Sequence, residues 1–219
     1  MASFFNLILD TLAPSGLTLV INNGATYTTT QAVALTIGVS DAVTTGYQMK
    51  IWGIDGATSE SDATWQAFAT SKSVTLPTGD GLKTIYIKVR DDVGNESDIV
   101  SDTITLNTAV PTVTVIGPDR SKISKVDGYD KAAFSFMADV LFIEYKVCVV
   151  PANNSLESAG KVIGTANGSN NTSGTGSYKA DTAVNVTIKG ADLEAVSSGD
   201  GTKIIKVFVK NEAGTWSVA

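Results

Sequence analysis

Tyr86-Ile87-Lys88-Val89-Arg90-Asp91-Asp92-Val93-Gly94 decides the fold of this chain. Ile85, Ile87 and Val89 alternate with Tyr86, Lys88 and Arg90. That is the period of a strand with one face on a core and the other in water. The same pattern returns 120 residues later as Lys206-Val207-Phe208-Val209-Lys210-Asn211-Glu212-Ala213-Gly214. A matching glycine turn precedes each copy, Gly79-Asp80-Gly81-Leu82-Lys83 in the first and Gly199-Asp200-Gly201-Thr202-Lys203 in the second. The chain is therefore two copies of one β unit.

A second match runs at a different offset. Asn6-Leu7-Ile8-Leu9-Asp10-Thr11-Leu12-Ala13-Pro14 aligns, 97 residues on, with Thr103-Ile104-Thr105-Leu106-Asn107-Thr108-Ala109-Val110-Pro111. In the first unit this stretch continues a closing strand, Ile99–Asn107. The second unit reaches Ala219 where its own closing strand is due, so the expectation is that the N-terminus carries what the second unit lacks.

The 219 residues suffice for two domains of about 100 residues, the size of an immunoglobulin-like sandwich. Abundant Thr, Val, Ser and Gly without a helical period favour an all-β protein. The reading is two tandem Ig-like antiparallel β-sandwiches: an N-terminal strand or attachment segment over 1–9, an acidic domain over 10–108, and a second domain with longer central loops over 109–219. Strands are expected in the first domain near Leu17–Asn22, Ala32–Val39, Tyr47–Gly53, Ser73–Leu76, Lys83–Asp91 and Ile99–Asn107. In the second they are expected near Thr112–Ile116, Ala132–Met137, Ile143–Val149, Val184–Lys189 and Lys203–Asn211. Trp52 falls on the polar face of its strand, either packed on a neighbour or offering a contact surface. The polar, glycine-rich tract Gly164–Gly176 reads as a long surface loop, and Ala191–Val196 as one helical turn.

Charge is unevenly shared: residues 1–108 carry a net −6 and residues 109–219 are neutral. An acidic module beside a neutral one offers no footprint for a phosphate backbone, so no nucleic-acid partner is expected. No apolar run approaches the length of a membrane span. The N-terminal apolar stretch lacks a basic flank, the first Lys or Arg being Lys50; it does not read as a signal peptide. The single cysteine, Cys148, cannot form an internal disulfide and is expected to fill core or near-core space. These features suit folding and assembly inside a cell.

Tyr86 through Gly94, continued by Asn95-Glu96-Ser97, together with Asp10-Thr11-Leu12-Ala13-Pro14, resembles the bacterial Ig-like repeats. These recur in cell-surface proteins and in structural proteins of tailed bacteriophages. In that pattern an aspartate ends a strand, a Gly-Asn turn follows, and a Thr-x-x-Pro segment joins domains. The second copy departs from it at Asn211-Glu212-Ala213-Gly214-Thr215-Trp216-Ser217. The resemblance implies a virion protein of head, tail or baseplate, assembled in the host cytoplasm, whose partners are other virion proteins and copies of itself. It is a marker of fold more than of function. An outer second domain would present the Val162–Lys179 region, with Asn167, Asn170, Asn171 and Tyr178 as contacts for host glycans or neighbouring subunits. A bacterial surface adhesin or carbohydrate-binding module is the alternative, and it would need a secretion route and an anchor.

Catalysis has little to work with. The chain has no histidine, hence neither the commonest general base nor the commonest transition-metal ligand. No nucleophile-elbow, P-loop or dinucleotide motif is present. Acidic clusters at Asp91, Asp92, Glu96 and Asp98, and at Asp55, Glu60 and Asp62, show no evident cleft for paired-carboxylate hydrolysis. Asp91, Asp92, Asn95 and Asp98 lack the alternation and closing glutamate of an EF-hand and read as a solvated turn. No enzyme activity, cofactor or metal is expected.

The N-terminal segment is the candidate assembly interface, through Phe4, Phe5, Leu7, Ile8 and Leu9. Phe5, Leu7 and Leu9 share one face, with Leu7 and Leu9 in the places of Ile104 and Leu106. Burying such side chains stabilises by roughly 1.5–3 kcal/mol each, and each ladder hydrogen bond adds about 1 kcal/mol. Phe4–Leu9 would then complete a sheet in another copy or in a different virion protein, by β-augmentation. Two local readings stand beside this one: the segment folds onto the edge of its own first domain, or the second domain closes with a short edge at Thr215–Ala219.

Overall fold

The computed structural model describes residues 6–41, 44–152, 154–164 and 171–218. The chain divides into two compact units between Thr108 and Ala109. Both are Ig-like β-sandwiches.

In the first domain the strands are β1 (Thr18–Ile21), β2 (Tyr27–Thr28), β3 (Ala32–Gly38), β4 (Gln48–Trp52), β5 (Gln66–Ala67), β6 (Ser71–Thr75), β7 (Gly81–Arg90) and β8 (Val100–Leu106). One sheet runs β1-β3-β6 and the other β2-β8-β7-β4-β5. Every pairing is antiparallel except the parallel contact of β2 with β8. The alternation read from the sequence is realised: Ile85, Ile87 and Val89 are fully buried against Ile21, Leu35, Ile37, Met49, Ile51, Ile104 and Leu106. On the outer face Trp52 stacks on its cross-strand partner Tyr86, with ring centroids 5.5 Å apart. Tyr86 is the outer ring, 36% exposed, and the stack leaves Trp52 only 7% exposed.

The second domain contains β9 (Val113–Ile116), β10 (Lys131–Ala138), β11 (Phe142–Val149), β12 (Lys161–Val162), β13 (Ser173–Tyr178), β14 (Val184–Lys189), helix α1 (Gly190–Val196) and β15 (Ile205–Asn211). Its sheets are β9-β10-β14 and a set centred on β11, with β15 along one side and β12 and β13 along the other. Phe136, Phe142, Val147 and Val209 form the buried centre. Cys148 points to the other face of β11, where it is fully buried with Val150 and Phe208 under Val162, Ile204 and Trp216. Burial raises its thiol pKa to about 11, Glu157 adding to the shift and Lys146 opposing it.

The two units share one turn. Asp91 accepts the N–H of Asn95 on Oδ1 at 2.8 Å, and Asn211 accepts that of Thr215 at 2.9 Å. The hydroxyl of Ser97 accepts the N–H of Val89 at 3.0 Å, as that of Ser217 accepts the N–H of Val209 at 3.1 Å. Gly94 and Gly214 take positive φ, 94° and 86°, where a side chain would be strained. Asn211-Glu212-Ala213-Gly214 therefore makes the same turn as its aspartate-led counterpart, although its sequence departs from the repeat pattern. A side-chain carbonyl or carboxylate oxygen serves equally well as the acceptor.

Two expectations need correction. Gly164–Gly176 is not wholly a surface loop, because Ser173–Tyr178 pairs with β11. Its polar composition hides a packing role for glycine: a Cβ on Gly174 would lie 2.5 Å from the Tyr178 hydroxyl and 2.6 Å from the Tyr145 ring. The bare backbone leaves room for these two aromatics, which Phe142 and Phe136 join. The expected short closing edge at Thr215–Ala219 is also absent from the described residues. Trp216 bridges Lys210, repeating the Glu96–Arg90 bridge of the first domain, so this stretch is the shared turn and not a substitute strand; Ala219 lies outside the described residues.

Candidate functional site

β7 lies between β4 and β8, whereas among the described residues β15 pairs with β11 alone. Three differences between the domains follow from that missing neighbour. β7 begins at Gly81, but β15 begins at Ile205, four residues beyond the counterpart Gly201. In the first domain Gly81–Ile85 extends past β4 and is held only by β8, through Leu106, Thr105, Ile104, Thr103 and Asp102. Without such a partner, Gly201–Ile204 makes no ladder, which is why the strand expected from Lys203 starts late. β2, which rests on β8, has no counterpart among the described residues between β9 and β10. Finally, the inner face of the opposing sheet is uncovered along β9. Ile21, paired with Leu35, is fully buried, yet Val115, paired with the equally buried Phe136, is 49% exposed.

The uncovered strip is a groove of about 860 Å³. Its apolar lining includes Val115, Ile123, Ile188, Leu193, Ile205 and Val207, and its rim carries Arg120, Lys122, Asp200 and Lys203. α1 supplies Leu193 to the groove and packs its Val196 on the core. The helix is two turns where one was expected. Nothing in the groove is a nucleophile held by a base. Among the described residues no group of three or more Cys, Asp or Glu side chains is placed to hold a metal. What the groove presents is an open strand edge and a strip of unfilled core, chemistry suited to another strand.

The N-terminal segment is only partly described. Phe4 and Phe5 lie outside the described residues. Leu7, Ile8 and Leu9 form no strand and are 85%, 89% and 86% exposed, so these three do not fold onto the edge of their own domain. The residues after them are seated firmly. The Asn95 amide donates to Asp10 O at 3.3 Å, Ser15 N–H donates to Asp41 at 3.1 Å, and Pro14 is buried. The joint entering the second domain repeats the last two features, with Thr112 N–H donating to Asp139 at 2.8 Å and Pro111 buried, while a different asparagine, Asn211, donates its amide to Ala109 O at 3.0 Å.

The proposed outer contacts fare differently. Asn167 and Asn170 lie outside the described residues. Asn171 is exposed, but its side chain is engaged: Oδ1 accepts the Thr187 N–H at 3.0 Å, and Nδ2 donates to Asn185 O. Tyr178 is a packing residue, its ring stacked on Phe142 at 4.8 Å. Asn171 stays exposed and Tyr178 half-buried, and each has a structural role in its own domain. Asp91 likewise serves its turn. Burial alone would raise its pKa, but hydrogen bonds from Asn95 and from the N–H groups of Val93 and Gly94 hold it below the usual range.

The groove residues were not singled out from the sequence. The one available signal was Val115, an inner position of an expected strand whose sheet had lost its cover.

No protein-family model matches the chain, and no curated protein matches it. Similar solved structures include the fibronectin(III)-like modules of CbhA from Clostridium thermocellum, at 11% identity over 92% of this chain and 90% of that one, with a TM-score of 0.45. The chicken CNTN1 FN1–FN3 domains share 12% identity over 94% of this chain and 64% of that chain, with a TM-score of 0.36. The D00–D0 domain of intimin shares 15% identity over 88% of this chain and 98% of that one, with a TM-score of 0.27. These likenesses concern fold and carry nothing about activity or partner.

Proposed function

We propose that this chain is a non-enzymatic structural protein of a tailed-phage particle, attached through its N-terminal segment and built to join strands with its neighbours. The observation that carries the reading is the pairing of an open groove with three exposed aliphatic side chains in a sequence copy of β8. An apolar strip with an unpaired edge is a template for pairing with another chain, and exposed apolar patches of this kind mark interaction sites. The resemblance of Tyr86–Ser97 and Asp10–Pro14 to the Ig-like repeats of phage structural proteins supports the virion setting. The expected partners are other virion proteins and copies of the chain itself.

The test is to purify phage particles from the strain that encodes the chain and search them for its peptides by mass spectrometry. The reading expects the protein in particles at fixed stoichiometry, and expects a chain lacking residues 1–9 to be lost from them. Peptides found on the bacterial cell surface and absent from particles would favour the adhesin alternative.

A further inference from the structure

We infer that the groove of the second domain receives the N-terminal segment of a second copy of this chain, in one defined register; this rests on the strand-joining reading above. The register comes from the first domain, where the copy of that segment is already in place. There Ile104 lies opposite Lys83 and Leu106 opposite Gly81, with both aliphatic side chains buried. Carried across the two sequence matches, Leu7 lies opposite Lys203 and Leu9 opposite Gly201. Their side chains then enter the strip lined by Val115, Ile123, Ile188, Ile205 and Val207.

A polar contact outside the strand specifies the same register. Thr108 donates its N–H and its hydroxyl to Asp80 Oδ1, at 3.0 and 2.8 Å, just beyond the end of β8. Both partners are repeated in the sequence, as Thr11 and Asp200. Both repeats are exposed, and Asp200 stands on the groove's rim. The first domain uses this pair within itself; the donated strand would make it between copies.

The choice of a second copy follows from the joints. Pro14–Ser15 sits on the first domain as Pro111–Thr112 sits on the second: the proline is buried and the following N–H donates to an aspartate. The strand ahead of the second joint closes the domain that precedes it in the chain. Leu7–Leu9, ahead of the first joint, form no strand and are exposed on their own chain, and the groove that matches them is the one on the second domain of another copy. Donation repeated in this way is head-to-tail, giving a ring if the rotation closes and a filament if it does not.

The test places one cysteine at each register position of the full chain, Leu7→Cys with Lys203→Cys, and oxidises the protein. Native Cys148 is buried and does not compete. The expected result is a ladder of disulfide-linked dimers and larger species on a non-reducing gel. The out-of-register pair Asn6→Cys with Lys203→Cys should give none, since adjacent strand residues face opposite ways. In parallel, light scattering over a concentration series should show mass growing for the unmodified chain and a constant monomer for Leu7→Asp. Leu7 is exposed in the monomer, so that variant folds. A disulfide confined to monomers would mean the chain closes its own groove, and would overturn the inference. So would absence of any disulfide, whether the acceptor is a different protein or the groove takes no strand. Either failure leaves the structural-protein reading standing if the chain is still found in particles. Conversely, a ladder without particle incorporation would overturn only that reading.

Discussion

The two domains are one design in two states of completion, and the comparison shows what a closing strand does. In the first, β8 holds Gly81–Ile85 extended, supports β2, and seals Ile21 from water. In the second, Gly201–Ile204 has no ladder and Val115 stands half exposed over a groove. Shared pieces nonetheless remain. The Asp91 and Asn211 turns share the bond from the N–H four residues on and the bond to the turn's serine, and Lys83 and Lys203 donate to the carbonyls of Thr78 and Ser198, each at 3.2 Å. Local geometry is thus set by short-range sequence, whereas the extent of a strand is set by its neighbour.

The outer faces diverge in another way. Lys88 contacts Glu96 at 2.5 Å in the first domain, and the corresponding places in the second hold Phe208 and Trp216. An ion pair has been exchanged for an apolar cluster with Cys148 and Val150. The cationic pairs Lys50 with Arg90, and Lys146 with Lys210, each flank a tryptophan, but Trp65 in one case and Trp216 in the other. The ring arrives from a different segment in each domain.

This contrast can be broken at several points. Phe208→Ala empties a fully buried aromatic site and should destabilise the second domain by about 3–5 kcal/mol, read by denaturant unfolding. Ile104→Ala should cost the first domain about 2–5 kcal/mol. Leu7→Ala, its counterpart by sequence, should change the unfolding of dilute monomer by no more than about 0.5 kcal/mol. Equal losses for the two would mean that Leu7 already packs within its own chain. Asn211→Ala strips the Thr215 N–H and the Ala109 carbonyl of a buried partner, and should cost about 1–3 kcal/mol.

Acid should separate the twin turns. The pKa of Asp91 is lowered in the folded protein, so its stabilising contribution is present above the unfolded carboxylate value, near 3.9. That contribution is lost as pH falls through the lower folded value. Asn211 does not titrate there. The denaturant midpoint of the first domain, read in a buffer series, should accordingly fall as pH drops below about 4, and Asp91→Asn should reduce that fall. An unchanged pH profile would show that the carboxylate's hydrogen bonds do not favour its charged form. The smallest effect is expected for Lys88→Ala, about 0.2–1 kcal/mol and weaker in high salt, because the ion pair is partly solvated.

Much of this was legible in the sequence because it rests on physics within a few residues. Alternation placed Ile85, Ile87 and Val89 inside, glycine marked the turns that need positive φ, and comparison of the halves revealed a strand copied at the N-terminus. The sites were less legible. Asn171 and Tyr178 looked like loop residues because Gly174 and Gly176 mark loops more often than strands. Only packing shows that Gly174 makes room for two tyrosines.

By itself, then, the sequence determined the duplication, the sandwich class, the inner and outer faces and the twin turns, since each depends on side-chain period or backbone freedom. The tertiary structure alone decided where β15 begins, that β2 has no counterpart, and which residues line the groove. Those outcomes depend on whether a hydrogen-bonding neighbour arrives from far along the chain, and no local pattern records its absence.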